Sequence, residues 1–436
     1  MRSGTRSGTP IITAYNPPPN PARAPDMSDS PLPASCDVLV VGAGPAGSAC
    51  ALTLARAGVH AVLIDAQSFP RDKVCGDGLI PDAHAALREL GVLEEVMASA
   101  HRVAHVACIG PRGGRVDVAG SLAVLPRRQL DHILCRAAIG AGADFHAPVR
   151  FEAPRVEGGR TVGARVEVGE QAHDIAARWV VLATGAVPQA LMAADMCTRR
   201  APTGVALRGY VKNPSMSDRI TELEVVWHKK LRPGYGWIFP CGDGVFNIGA
   251  GILHSHSEVR KDGKLGMKDL NLRELLRLFA ECYAPAQELM AGGTVVGEVK
   301  GAPLRCTLEG ARWSRPGLLV TGEAAGSTYA FTGEGIGKAM ETGILAAEVL
   351  IESARQTLED AALCRQYEAS LTALKPRFDL YERANQVNAH PWLADLLIWR
   401  AQRSERLRRR MSGVLDETSN PGHLLTVKGM FRLFTE

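Results

Sequence analysis

"DVLVVGAGPAGSACALTLARAGVHAVLID", Asp37 to Asp65, is the stretch on which the fold of this chain turns. Val38–Val41 reads as a buried strand. Gly42, Gly44 and Gly47 then form G-x-G-x-x-G, a small-residue helix follows, Gly58 closes it, and Ala61–Ile64 makes a second strand. The three glycines differ in what they permit. The first allows the turn, the second lets backbone approach a pyrophosphate, and the third lets helix meet strand. The helix N-terminus offers N–H donors and partial positive charge to phosphates. Asp65 ends the second strand 18 residues after Gly47, where a carboxylate reaches ribose hydroxyls. A lone glycine motif is weak evidence, but flanked by two strands and an acid at this spacing it predicts dinucleotide binding. Hydropathy alone misreads the stretch. Val38–Ala55 carries no charge and is long enough to suggest a membrane span, yet Gly42, Gly44, Pro45 and Gly47 would break a spanning helix.

Outward from this unit, the pattern predicts helix over about Asp82–Ser99 and a hairpin near Val106–Val118 around "GPRGG". "PRRQLDHILCRAAIGAGA" reads as an amphipathic helix and turn. A meander follows around Gly158–Gly159, and "ARWVVLATG" reads as a buried strand. Thr203–Leu253 alternates like an antiparallel sheet. "PGLLVTGEAAG" returns to the buried-strand pattern and "EGIGKAMETGILAAEVLIESA" to a long helix. The expected fold is α/β: a Rossmann-like nucleotide-binding domain interrupted by an antiparallel-sheet substrate domain, with a helical C-terminal region. The expected division is a tail at 1–34, nucleotide-binding segments at 35–110 and 111–200 (the second with the meander), a substrate domain at 201–305, a returning strand and helix at 306–355, and helices at 356–436.

A chain of 436 residues suffices for roughly two or three domains. A net charge of +4 is too small to imply nucleic acid, and no RNA-binding or zinc-finger signature appears. Ten cysteines stand singly, with no C-x-x-C, as expected of reduced thiols in a cytoplasmic protein. Residues 1–34 are Pro/Ser/Arg-rich, with too little apolar mass to fold and no apolar core of a signal peptide; a start at Met27 would remove most of them. His254 and His256, with Glu258 close behind, form an H-x-H cluster, which in so polar a stretch reads as a solvated loop. No metal site is expected.

Five segments carry a resemblance: "VGAGPAGSACALTLARAG", "PRDKVCGDGL", "LPRRQLDHIL", "GYGWIFP…NIGAG" and "GEAAGSTYAFTGEGIGKAMETG". Together they resemble the geranylgeranyl reductase family, FAD-dependent oxidoreductases within the class of para-hydroxybenzoate hydroxylase and the flavin-dependent halogenases. The likeness spans about Asp37 to Glu436. It implies FAD as cofactor, the ADP half held by Gly42, Gly44, Ala46, Gly47 and Asp65. Arg127, in an R-x-x-x-D pattern with Asp131, would reach the pyrophosphate or ribityl chain. Thr184 and Gly185 would pass close to the cofactor, Glu323 and Gly326 would meet the ribityl region, and Gly333, Gly335 and Ile336 would begin a helix facing the flavin. The family pattern has aspartate at the position of Glu323.

The same resemblance lays "PRDKVCGDGL", Pro70–Leu79, along the isoalloxazine ring. Gly76 and Gly78 would permit close approach, and Arg71 and Lys73 would bring positive charge. Cys75 is the candidate catalytic residue, as proton donor or flavin contact; a small packing residue is the alternative. Tyr235, Trp237 and Phe239 alternate, so they share one face, either an aromatic core stripe or the wall of an apolar substrate tunnel. Halogenases carry W-x-W-x-I-P here, and Cys241 stands where reductases often have lysine. Trp392 and Trp399 among Arg400, Arg403, Arg406 and Arg408–Arg410 would suit either a helix packed on the catalytic body or peripheral contact with the inner face of a membrane.

The implied function is FAD-dependent reduction of carbon–carbon double bonds in a prenyl or polyene lipid, an apolar small molecule. The alternative is an FAD-dependent monooxygenase or other tailoring oxidoreductase, and a non-enzymatic flavin or lipid carrier is the third reading. No second G-x-G-x-x-G follows a strand. The donor is therefore NAD(P)H bound transiently, or a reduced electron-carrier protein.

Overall fold

The computed structural model describes residues 31–253, 271–356 and 358–419. Most of the N-terminal tail, and His254, His256 and Glu258, lie outside the described residues. In chain order, β1 (Ser35–Val41), α1 (Pro45–Arg56) and β2 (Ala61–Ile64) form the βαβ unit. β3 (Gly78–Leu79), α2 (Pro81–Glu89), α3 (Leu93–Ser99), β4 (His101–Ile109), β5 (Arg115–Val124) and α4 (Arg127–Gly140) follow. Then come β6 (Asp144–His146), β7 (Arg150–Glu157), β8 (Arg160–Val168), β9 (Gln171–Leu182), α5 (Gln189–Ala193), β10 (Gly204–Lys212), β11 (Leu223–Val226), β12 (Gly234–Gly242) and β13 (Val245–Leu253). The remainder is α6 (Leu272–Cys282), α7 (Ala284–Gly292), β14 (Thr294–Leu304), β15 (Ser314–Arg315), β16 (Leu318–Val320), α8 (Ile336–Gln356), α9 (Asp360–Ala384), α10 (Gln386–Ala389), α11 (Trp392–Ala401) and α12 (Glu405–Leu415).

The first sheet runs β15-β16-β9-β1-β2-β6, with the β7–β8 hairpin hung on β9. Its centre is parallel: Val38 lies opposite Ala61 on one side and opposite Trp179 on the other. A parallel sheet is covered on both faces, which is why Val38–Val41 and Ala61–Ile64 are unbroken apolar runs, all buried. β16, far along the chain, returns to pair with β9, so this α/β unit is assembled from separated segments. α1 crosses α8 closely, because a Cβ on Gly343 would fall 2.2 Å from the Ala46 carbonyl oxygen.

The second sheet runs β14-β10-β13-β12-β11-β4-β5-β3 and is antiparallel except where β11 meets β4. On one side, Leu275, Leu276 and Phe279 of α6 pack with Leu207, Ile238 and Ile248. At the other end, Leu393, Ile398 and Leu407 of α11 and α12 pack with Val116, Val118 and Trp227. Two sequence expectations change here. The helix over Asp82–Ser99 is two helices, because Gly91 turns the chain with φ of +66°. The hairpin β4–β5 joins the second sheet, although the division at 110/111 leaves it with the nucleotide-binding segments: Val106 pairs with Leu223 and Ile109 with Val226. The alternating exposure along most of β5 suits a sheet with one covered face, not the doubly covered first sheet.

Candidate functional site

A cavity of about 800 Å³ runs between the two sheets. At one end stands the glycine turn. A Cβ on Gly47 would lie 1.7 Å from the Gly42 carbonyl oxygen, so that glycine is compelled by packing. A Cβ on Gly44 would meet only the guanidinium ends of Arg71 and Arg127, each at 3.7 Å, so that glycine keeps space open. Gly44 is also the N-cap of α1, which has no side-chain cap and no acid in its first turn. Its N–H groups are left for an anion.

Four charges brace this end. Arg71 bridges Asp65 at 3.1 Å and Asp131 at 3.0 Å, and Arg127 Nε donates to Asp131 at 2.6 Å. Asp131 is fully buried, and the two aspartates balance the two arginines, which makes such burial tolerable. The Asp65 carboxylate also accepts from the Ala43 N–H at 2.9 Å, so here it holds the glycine turn as well as Arg71.

The loop Pro70–Leu79 is fastened to the second sheet. Asn247 of β13, fully buried, donates from Nδ2 to the Cys75 carbonyl and to the Asp77 carboxylate, both at 2.8 Å, and accepts from the Trp237 indole N–H at 2.9 Å. Tyr210 donates its hydroxyl to Asp77 as well. Asp77 has φ of +64°, a strained conformation that this network offsets. Burial pushes its carboxyl up to about 6, against the hydrogen bond from Tyr210 and the charge of Arg208. Burial also pushes the Cys75 thiol up, against the Arg127 charge. A Cβ on Gly76 would approach Phe239 to 3.2 Å, so the loop lies directly on the aromatic wall.

The far end of the cavity is apolar. β4, β5 and β11 contribute Val106, Cys108, Val118, Leu223 and Val225, while Leu397, Ile398, Met411, Val414 and Leu415 close over them from α11 and α12 of the C-terminal region. Tyr235, Trp237 and Phe239 stand where this arm meets the charged end. Trp237 packs flat against backbone, since a Cβ on Gly249 would fall 2.1 Å from its ring.

Gly42, Gly44, Ala46, Asp65, Arg71, Lys73, Cys75, Gly76, Arg127, Thr184, Gly185, Glu323, Gly333, Gly335 and Ile336 all line this one cavity. Gly47 and Gly326 do not. Gly326 closes the short turn Gly322–Ala325 with φ of +91°, and a Cβ there would meet the Glu309 N at 2.6 Å, so it serves packing and not the lining. Sequence reasoning passed over Asp77, Asn247 and Glu334, all lining or bracing the site. Each stands inside a quoted motif, "CGDG", "NIGAG" and "TGEGIG", beside glycines that drew the attention. The residues present fit FAD: the Thr184 hydroxyl oxygen is buried without a hydrogen-bond partner among the described residues, and the space over Gly44 is clear.

The comparisons agree with this geometry. A family model described as an FAD binding domain matches residues 35–203. A menaquinone reductase of Mycolicibacterium smegmatis is 33% identical over 339 residues, covering 72% of this chain and 76% of that protein. Digeranylgeranylglycerophospholipid reductase 1 of Methanopyrus kandleri is 28% identical over 336 residues, covering 76% of this chain and 84% of its own. Among solved structures, a geranylgeranyl bacteriochlorophyll reductase-like protein of Thermoplasma acidophilum shares the fold, with a TM-score of 0.71, 22% identity, and coverage of 92% of this chain and 96% of that one. The flavin-dependent brominase Bmp2 shares it too, at a TM-score of 0.68 and 19% identity, covering 92% of this chain and 98% of its own. The fold, the fitted cofactor end and these relatives converge: the chain belongs to the geranylgeranyl reductase family and is an FAD-dependent oxidoreductase.

Proposed function

We propose that this enzyme reduces carbon–carbon double bonds in a prenyl or polyene lipid. One observation carries the reading: the cavity continues from the cofactor end into an arm where β4, β5, β11 and the C-terminal helices contribute no charged side chain. Such an arm favours hydrocarbon at about 0.8 kcal/mol per buried CH₂ and offers nothing to an ionic head group. The names of the two curated relatives point to lipids of this kind.

When bound, FAD supplies hydride transfer. Gly42, Gly44, Ala46 and the α1 N-terminus would receive its diphosphate, with Arg71 and Arg127 as counter-charge. Thr184, Gly185, Glu323, Gly333, Gly335 and Ile336 would line the rest of its path. Lys73, Cys75 and Gly76 would border the reacting centre, and Tyr235, Trp237 and Phe239 would hold the lipid chain beside it while excluding water. Electrons come from NAD(P)H or a reduced carrier protein. Trp392 and Trp399 of α11 are 57% and 46% exposed beside the arginines of α11 and α12, which suits peripheral contact with an anionic membrane surface. No helix among the described residues is long and apolar enough to cross a membrane.

The test is anaerobic turnover with a reductant and either menaquinone or digeranylgeranylglycerophospholipid. The expected product is heavier by the mass of two hydrogen atoms per double bond. Product that forms only when air is admitted, heavier by an oxygen atom, would replace this reading with monooxygenation.

A further inference from the structure

We propose that Glu334 is the acid that protonates the substrate carbon, an assignment resting on the reductase reading above. Glu334 lines the cavity between Gly333 and Gly335, the two glycines given to the cofactor's path. Its place is fixed by backbone. The Gly333 N–H donates to the Tyr329 carbonyl at 2.9 Å, the Tyr329 N–H donates to the Glu334 carbonyl at 2.8 Å, and the Tyr235 hydroxyl donates to the Thr332 carbonyl. Gly333 has φ of +70°, and a Cβ on Gly335 would meet Thr328 Oγ1 at 2.6 Å, so neither neighbour could be another residue without moving the acid.

Among the described residues, the cations near this carboxyl are paired with other acids. Lys338, one turn along α8, pairs with Glu341 at 2.7 Å and Glu417 at 2.8 Å and lies 3.8 Å from Asp82. Arg377 of α9 pairs with Glu417 at 2.7 Å and lies 3.8 Å from Glu341. Among the described residues, no cation stands within ion-pair distance of Glu334. Asp82 and Glu334 lie near one another and near Glu417, and burial with like charge nearby disfavours the ionised forms of both. Burial pushes the Glu334 carboxyl well above the usual carboxylate range, Asp82 and Glu417 push it further, and Thr332 and Lys338 oppose. Asp82 itself is pushed up to about 7, mainly by burial. The nearby phenols of Tyr235 and Tyr381 are also pushed up, above all by burial, and stay neutral. Burial and like charge thus favour the protonated form of the Glu334 carboxyl, on a residue that lines the cavity. Cys75 is the poorer source, because burial weakens an acid that is already weak, and a general acid works best with its pKa near the working pH.

The step balances. The less substituted carbon of the double bond takes the proton from Glu334 as the π bond breaks. The more substituted carbon would receive the hydride that reduced FAD supplies, its two electrons coming from NAD(P)H or a carrier protein. Glu334, left as carboxylate, regains its proton from water between turnovers.

The test uses the FAD-loaded full-length protein, reduced anaerobically and mixed with menaquinone or digeranylgeranylglycerophospholipid. Glu334→Gln should keep its FAD and accept electrons like the parent, yet reduce the lipid more slowly by a factor on the order of 10² to 10⁴. Glu334→Asp should regain part of the loss. In the parent, the rate should fall as pH rises through the raised pKa of Glu334, and the glutamine variant should lack that limb. Without any substrate, the parent's infrared spectrum at neutral pH should hold a protonated-carboxyl stretch that Glu334→Gln removes. A glutamine variant within a few-fold of the parent, or an unchanged carboxyl band, overturns the assignment. A parent inactive on both lipids sinks the reductase reading and the assignment together, and is told apart by the parent's own silence.

Discussion

At one end of the cavity Asp65, Arg71, Asp131 and Arg127 form an unbroken chain of alternating charge beside a glycine turn; at the other, the lining from β4, β5, β11 and the C-terminal helices holds no charge at all. The first end is built by geometry that few residue types satisfy. A diphosphate needs backbone within contact distance, hence glycine, and buried charges need partners at hydrogen-bonding range. The second end asks only for apolar surface, and many side chains supply that equally well. A mutation should therefore act categorically at the cofactor end and by degrees at the substrate end.

The largest effect is expected at Gly44. Gly44→Phe would fill the space in front of Arg71 and Arg127, and the purified protein should be colourless, with no FAD released on denaturation. Next is Asp131→Ala, which strands the buried Arg127 guanidinium and leaves Arg71 with Asp65 alone. Breaking a buried pair costs about 3–5 kcal/mol, so chemical denaturation should show a loss of that size together with weakened FAD retention. At the substrate end, Leu397→Lys places an ammonium at the rim of the apolar arm. It should leave FAD content unchanged and raise KM for the lipid about tenfold, near 1.4 kcal/mol. Equal loss of flavin in that variant would mean the two ends are not separable. The smallest effect is expected at their junction. With the proton coming from Glu334, Cys75→Ser should keep its FAD and slow lipid reduction by no more than about tenfold; a loss of 10² or more would return the proton to the thiol.

The same contrast explains what could be read from the sequence. The glycine turn, Asp65 and the strand repeats announce the cofactor fold because each has a fixed spacing. The hairpin β4–β5 could not be assigned to its sheet, since its partner β11 lies more than a hundred residues on and no local signal names it. Asn247 and Glu334 escaped because a polar residue among glycines looks like loop filler until its neighbours are seen in space. Gly326 was misjudged for the opposite reason: its left-handed φ serves a turn packed on Glu309, and a required glycine looks the same in sequence whether it meets ligand or protein.

The most direct measurement mixes anaerobically reduced enzyme with the lipid and follows the flavin absorbance in a stopped-flow cell. The account predicts that oxidised flavin returns at a rate that rises with lipid concentration in the complete absence of oxygen, with one double bond of the lipid reduced per flavin oxidised. Flavin that stays reduced until oxygen is admitted would contradict it.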